Sequence, residues 1–185
     1  VVPVQQADEV GQELWSIIPQ HLVKRSHGLV STSMTLMDGR PYVGDVLLSR
    51  TDPLQAKPAK EAAQWRSVLT TGYGGGGRGF IAIDVTQALD ISTVGVLWEI
   101  DNTSRCRNGQ CYAAVDGFAN DFSKLGLTSP QPTYGTAFVD GTEVAIAILA
   151  GGDAPDEGEA YAGRVVYVVR LDTGEKIAEF SDPMG

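Results

Sequence analysis

Residues 72–85 read Gly72-Tyr73-Gly74-Gly75-Gly76-Gly77-Arg78-Gly79-Phe80-Ile81-Ala82-Ile83-Asp84-Val85. The glycines match G-x-G-x-x-G from Gly72 and again from Gly74. A dinucleotide fingerprint needs a helix after such a run, so that the helix N-terminus can hold the pyrophosphate. The segment after the glycines, Phe80 to Val85, is apolar, β-branched and too short for a helix, so it reads as a strand. A phosphate-binding loop fails as well, because no Gly-Lys-Ser/Thr closes the run. The stretch is therefore expected to be a tight strand-to-strand crossing, with glycines where φ is positive or where backbones approach closely.

The same β character extends in both directions. Strands are expected at 14–18, 33–37, 42–48, 65–71, 80–85, 94–100, 134–139, 143–150, 164–171 and 176–180. Asp38-Gly39, Asp140-Gly141 and Asp172-Thr173-Gly174 supply turns. A single helical turn is expected near 20–24, a short capped helix at 119–125, and an exposed loop at 51–64. The pattern repeats internally. The first copy uses 42–48, 65–71, 80–85 and 96–100; the second uses 134–139, 144–149, 165–171 and 176–180. The third strand of each ends in an apolar residue plus Asp, Ile83-Asp84 and Leu171-Asp172, and a strand with an aromatic comes next.

Four-stranded antiparallel repeats of this kind are the blades of a β-propeller. The fold class is therefore all-β, with an incomplete ring. Residues 1–32 read as the end of a preceding blade and a connector, 33–101 as one blade, 102–132 as a hairpin insertion and connector, and 133–182 as a second blade. A β-sandwich with accidental similarity between its halves is the alternative. Closed propellers use roughly 4–8 blades, so the chain is expected to be a segment of a larger ring. It starts at Val1 rather than at a Met, which fits a processed form or part of something longer.

Composition narrows the partners. The 185 residues suffice for a real core, and a hydrophobic fraction of 43% is too high for a disordered chain. The 22 Gly and 9 Pro suit a turn-rich fold. With 14 basic against 23 acidic residues the net charge is −9, which disfavours nucleic acid as a partner. No apolar run approaches the roughly 18 residues of a membrane span.

Cys106-Arg107-Asn108-Gly109-Gln110-Cys111 places Asn-Gly midway between the two cysteines. Asn-Gly favours a two-residue type I′ hairpin turn, because both central residues need φ > 0. Arg107 and Gln110 then close the turn, and Cys106 faces Cys111 as the next, close pair. That spacing suits a disulfide, which points to an oxidising compartment. Two free thiols in a cytosolic loop are the alternative. Zinc would need two more soft ligands, and His21 and His27 lie far away in sequence.

Other candidate chemistry is sparse. Asp153, Asp156, Glu157 and Glu159 form an acidic loop able to attract a hard cation, but without the D-x-D-x-D-G spacing of a calcium loop. A solvated loop is the favoured reading over a metal site. Neither G-x-S-x-G nor H-E-x-x-H is present. No catalytic or cofactor-binding residue is singled out, and the chain is read as no enzyme.

The order of segments resembles one family. Glu13-Leu14-Trp15-Ser16-Ile17-Ile18-Pro19 is succeeded by Asp38-Gly39-Arg40-Pro41-Tyr42-Val43-Gly44-Asp45-Val46 and by Trp65-Arg66-Ser67-Val68-Leu69. Then come Arg78-Gly79-Phe80-Ile81-Ala82-Ile83-Asp84-Val85-Thr86, Val96-Leu97-Trp98-Glu99 and Tyr167-Val168-Val169-Arg170-Leu171-Asp172-Thr173-Gly174. In this order they resemble the PilY-type proteins of type IV pili, the pilus tip adhesins and pilus assembly proteins. The resemblance implies a carboxy-terminal propeller of the quinoprotein-dehydrogenase-like type. It implies export to the bacterial cell surface, at the pilus tip or outer membrane, and work with minor pilins in pilus assembly, adhesion and twitching motility. The rest of the same propeller would be a further partner, and a host or surface target is left unnamed. The family's calcium loop would come after the last residue of this chain, so no metal ligand is carried over. A quinone-dependent dehydrogenase-like propeller and a generic extracellular protein-interaction propeller are the other classes.

Overall fold

The computed structural model describes residues 2–3, 13–26, 33–50, 65–90, 92–154 and 162–181. The stretch 51–64, expected to be a loop, lies outside the described residues, as does His27. Thirteen strands are named in chain order: β1 (Val2–Pro3), β2 (Trp15–Ser16), β3 (Tyr42–Leu47), β4 (Ser49–Arg50), β5 (Trp65–Gly72), β6 (Gly79–Asp84), β7 (Gly95–Asp101), β8 (Ser104–Arg107), β9 (Gln110–Ala113), β10 (Thr133–Val139), β11 (Thr142–Ala150), β12 (Val165–Arg170) and β13 (Lys176–Ser181). One helix, α1 (Gln20–Ser26), begins directly after Pro19.

The strands form antiparallel sheets, none of which closes on itself. The first large sheet runs β3-β5-β6-β7-β8-β9 and the second runs β10-β11-β12-β13. Apart from the short β4, which pairs with β11, each holds its strands side by side in chain order, so both copies of the sequence repeat are meanders. Both copies also carry a register shift between their third and fourth strands, at Ala82/Ile83 and at Val168/Val169. The Asn108-Gly109 and Asp140-Gly141 turns have positive φ at both central residues, as type I′ turns require.

The sheets pack face to face. Val68, Phe80, Ala82, Trp98 and Ile100 of the first meet Ala145, Ala147, Leu149, Val165, Tyr167 and Val169 of the second. Trp98 is fully buried, and its indole N–H donates to the Leu171 carbonyl at 2.9 Å. The chain crosses between the sheets at Leu48. β3 pairs with β5, while the short β4 directly after it pairs with Glu143 and Val144 of β11. The other face of the first sheet is also covered. Leu22 of α1 joins Tyr73, Ile81, Ile83 and Val94 there, with Trp15 and Ile17 packed alongside. Burial on both faces explains why β6 reads as a continuous apolar run.

Two expectations need correction. Residues 33–41 form no strand. They dock on the glycine-rich crossing instead: Asp38 N–H donates to the Tyr73 carbonyl at 3.2 Å, and the Asp38 carboxylate accepts the Gly75 N–H at 2.7 Å. The helix expected at 119–125 is only a 3₁₀ turn, Phe118–Asn120. The Asp121 carboxylate accepts the Ser123 N–H at 3.0 Å, a local bond that competes with helix continuation. Phe122 and Leu125 insert into the core between the sheets. The cysteine hairpin pairs onto the edge of the first sheet. Glu99↔Cys106 and Ile100↔Arg105 pair β8 to β7, so β8 and β9 extend the first sheet.

Candidate functional site

The glycine run behaves as a crossing between β5 and β6. Only Gly74 in it has a positive φ, +64°. Close approach governs most of the others. A β-carbon on Gly76 would strike the Leu36 carbonyl, and one on Gly72 would strike the Thr128 carbonyl. Thr128 is fully buried and acts as a hub. Its Oγ1 accepts the N–H groups of Tyr73 at 2.9 Å and Gly79 at 3.3 Å, and donates to the Gly79 carbonyl at 2.6 Å. The neighbouring Leu127 makes a two-way backbone bridge with Asp153, at 2.7 and 3.0 Å. Residues 126–128 thus tie the crossing of the first sheet to the corresponding β11–β12 corner of the second. Of the acidic-loop candidates, Asp153 is exposed and spends its backbone on this bridge; Asp156, Glu157 and Glu159 lie outside the described residues.

The cysteine hairpin closes as the sequence predicts. Cys106 and Cys111 are directly opposed and joined by a disulfide, with Arg107 opposite Gln110. Cys106 is buried, whereas Cys111 is exposed. Arg105 anchors the hairpin to the second sheet. Its guanidinium is buried, donates to Asn120 Oδ1 at 2.9 Å and to the Thr173 carbonyl at 2.8 Å, and lies over the Tyr112 ring.

His21 is the feature that sequence spacing hid. Glu99 and Asp101 alternate along β7, and Cys106 pairs with Glu99, so all three share one face. α1 lies on that face, held by the buried Leu22. His21 is thereby brought in from 85 positions away: its Nε2 stands 3.2 Å from Cys106 Sγ and 3.2 Å from Ser104 Oγ. The same nitrogen is 3.7 Å from Asp101 Oδ2, and Nδ1 is 3.5 Å from Glu99 Oε2. Asp101 Oδ1 is occupied elsewhere, accepting the N–H groups of Thr103 and Ser104 at 2.7 and 2.8 Å. Beside the cluster a cavity of about 310 Å³ opens, walled by His21, Arg25, Tyr73, Arg78, Asp101 and Leu127. Tyr73 is buried, and its hydroxyl has no hydrogen-bond partner among the described residues. Burial, then the charges of Glu99 and Asp101, push its pKa well above the ordinary value, so it stays a protonated donor. Distance along the chain was therefore no argument against zinc: the fold puts His21 against the cysteines. Only the burial pattern of α1 and β7 could have revealed this, and a seven-residue helix gives too weak a pattern to orient from sequence.

No helix among the described residues is long and apolar enough to cross a membrane. No family model matches the chain, and no curated protein matches it. Among solved structures, the crystal structure of the Pseudomonas aeruginosa PilY1 C-terminal domain is similar, with a TM-score of 0.55 and 20% identity. The match covers 96% of this chain and 28% of that one. The chain thus spans little more than a quarter of the length of the domain it matches. Over nearly all of its own length, it has the fold of part of the PilY1 C-terminal domain.

Proposed function

We propose that this chain is part of a type IV pilus-associated propeller that acts by binding rather than by catalysis. The observation that carries the reading is the fold likeness to the PilY1 C-terminal domain across 96% of the chain. The segment order from Trp15 to Gly174 supports it independently, because it resembles the same family at the level of residues.

In this reading the two large sheets are successive blades of a larger ring. The remaining blades cover the outer face of the second sheet. The protein works outside the cytoplasm, at the pilus tip or outer membrane, where a Cys106–Cys111 disulfide persists. Its partners are minor pilins and the rest of its own propeller, and its outputs are pilus assembly, surface adhesion and twitching motility. The cysteine hairpin and the connectors near Asp101 and Asp153 offer polar contact surface at the ends of the sheets.

A deletion strain tests this. Loss of surface pili or of twitching, restored by the intact gene, is the expected result. A deletion strain with normal piliation, motility and surface attachment would contradict the proposal.

A further inference from the structure

A histidine packed against a disulfide is ordinary in itself. What distinguishes His21 is how both ring nitrogens are placed. Nε2 faces Cys106 Sγ at 3.2 Å, with Asp101 Oδ2 at 3.7 Å. Nδ1 is buried without a hydrogen-bond partner among the described residues, and faces Glu99 Oε2 at 3.5 Å. Metal-binding histidines meet the ion with one nitrogen and donate the proton of the other to a carboxylate that fixes tautomer and ring orientation. Glu99, whose Oε2 accepts the His21 backbone N–H at 3.2 Å, is the carboxylate beside Nδ1 here. The ligand atoms of His21, Cys106 and Cys111 all lie within 4.8 Å of one another. A tetrahedral zinc ion with Zn–S bonds of about 2.3 Å holds its ligand atoms roughly 3.5–3.8 Å apart. Opening the disulfide frees the exposed Cys111 side chain, on the outer strand of the hairpin, to swing away from Cys106 toward that spacing.

We propose that the dithiol form of this protein binds a zinc-class divalent cation through Cys106, Cys111 and His21 Nε2, with Asp101 as the fourth ligand and Glu99 as the carboxylate that orients His21. The disulfide and the metal are alternative states of one site. A dithiol reductant opens it: one thiolate attacks the exposed Cys111 sulfur, Cys106 leaves as a thiolate, and the second reductant thiol displaces Cys111. The protein disulfide gains two electrons and the reductant becomes a disulfide. The cation then binds two thiolates, and the two cysteine protons pass to solvent. The exposed Cys111 opens the site to solvent. This inference stands apart from the pilus reading, since it rests on the His21 cluster alone.

Cobalt(II) is the probe, because thiolate ligation gives sulfur-to-metal charge-transfer bands and a tetrahedral field gives intense visible bands. The chain is reduced anaerobically, freed of reductant and titrated with Co²⁺, then with Zn²⁺. One Co²⁺ per reduced chain with both signatures, displaced by Zn²⁺, is expected; the oxidised chain should show neither. H21A and H21Q should each weaken binding at least tenfold, and E99Q by about 10–100-fold. Circular dichroism confirms that each variant is folded, and the glutamine variant keeps the side chain's bulk if alanine unfolds α1. A folded, reduced chain with no thiolate–cobalt bands would overturn the proposal. So would a folded His21 variant that binds as tightly as the wild type.

Discussion

Gly75 and Gly76 are neighbours with different constraints. A β-carbon on Gly75 would lie 3.6 and 3.8 Å from the Asp38 carboxylate oxygens, an ordinary contact. On Gly76 it would run into the Leu36 backbone, which cannot rotate away. G76A should therefore cost about 1–3 kcal/mol in urea unfolding, whereas G75A should stay within about 0.5 kcal/mol of wild type. Equal effects would contradict this packing of 36–39 on the crossing. The disulfide is checked by intact mass after alkylation: no cysteine should label before reduction, and both should label after it. Its ring is short, with a sequence separation of 5, so C106S/C111S should cost only about 2 kcal/mol. The bridge was legible because a turn and one ladder step decide it locally. His21 was not, since its neighbours are set by how a helix lands on a sheet.

Between elements, the burial of Lys176 shows how the fold carries charge inside. Its side chain is 0% exposed, its ammonium sits 4.2 Å from the centre of the Phe118 ring, and it donates to Glu179 at 2.6 Å. Lys124 binds the other Glu179 oxygen. Burial alone would raise the Glu179 pKa, but the two lysines hold it below the ordinary carboxylate value. Because the folded pKa is the lower one, its contribution is complete above the ordinary value and is lost as pH falls through the depressed one. E179Q should cost about 2 kcal/mol at neutral pH, with the gap to wild type closing in acid. A gap unchanged by pH would show that the carboxylate charge is not what stabilises β13. Thr128 makes a second link between elements: T128V should cost about 1–3 kcal/mol by removing the buried hydroxyl that accepts the Gly79 N–H and donates to the Gly79 carbonyl. Strands with clear alternation or unbroken apolar runs were readable from sequence. Residues 33–41 and 118–125 were not, because single hydrogen bonds and inserted side chains hold them rather than a periodic ladder.

At the scale of the whole molecule, the doubled meander was written in the sequence and the stacking was not. Period-two patterns identify strands and their order, but which faces meet depends on burial. The aromatic residues closing the two copies show the difference. Trp98 is 0% exposed between the sheets, while Phe180 is 64% exposed on the outer face of the second. There Phe180 pairs with Val166, Ala178 with Val168, and Val168 with Ile148, giving an apolar surface across three strands. Soluble monomers seldom leave such a surface bare. If the sheets are successive blades, the isolated chain must bury this face against a second copy or expose it. Sedimentation velocity of the 185-residue chain at micromolar concentration, paired with binding of a hydrophobic dye, measures this directly. Concentration-dependent association or strong dye binding is expected, both reduced in F180S. A wild-type chain that stays monomeric, unfolds cooperatively and binds no dye would contradict it.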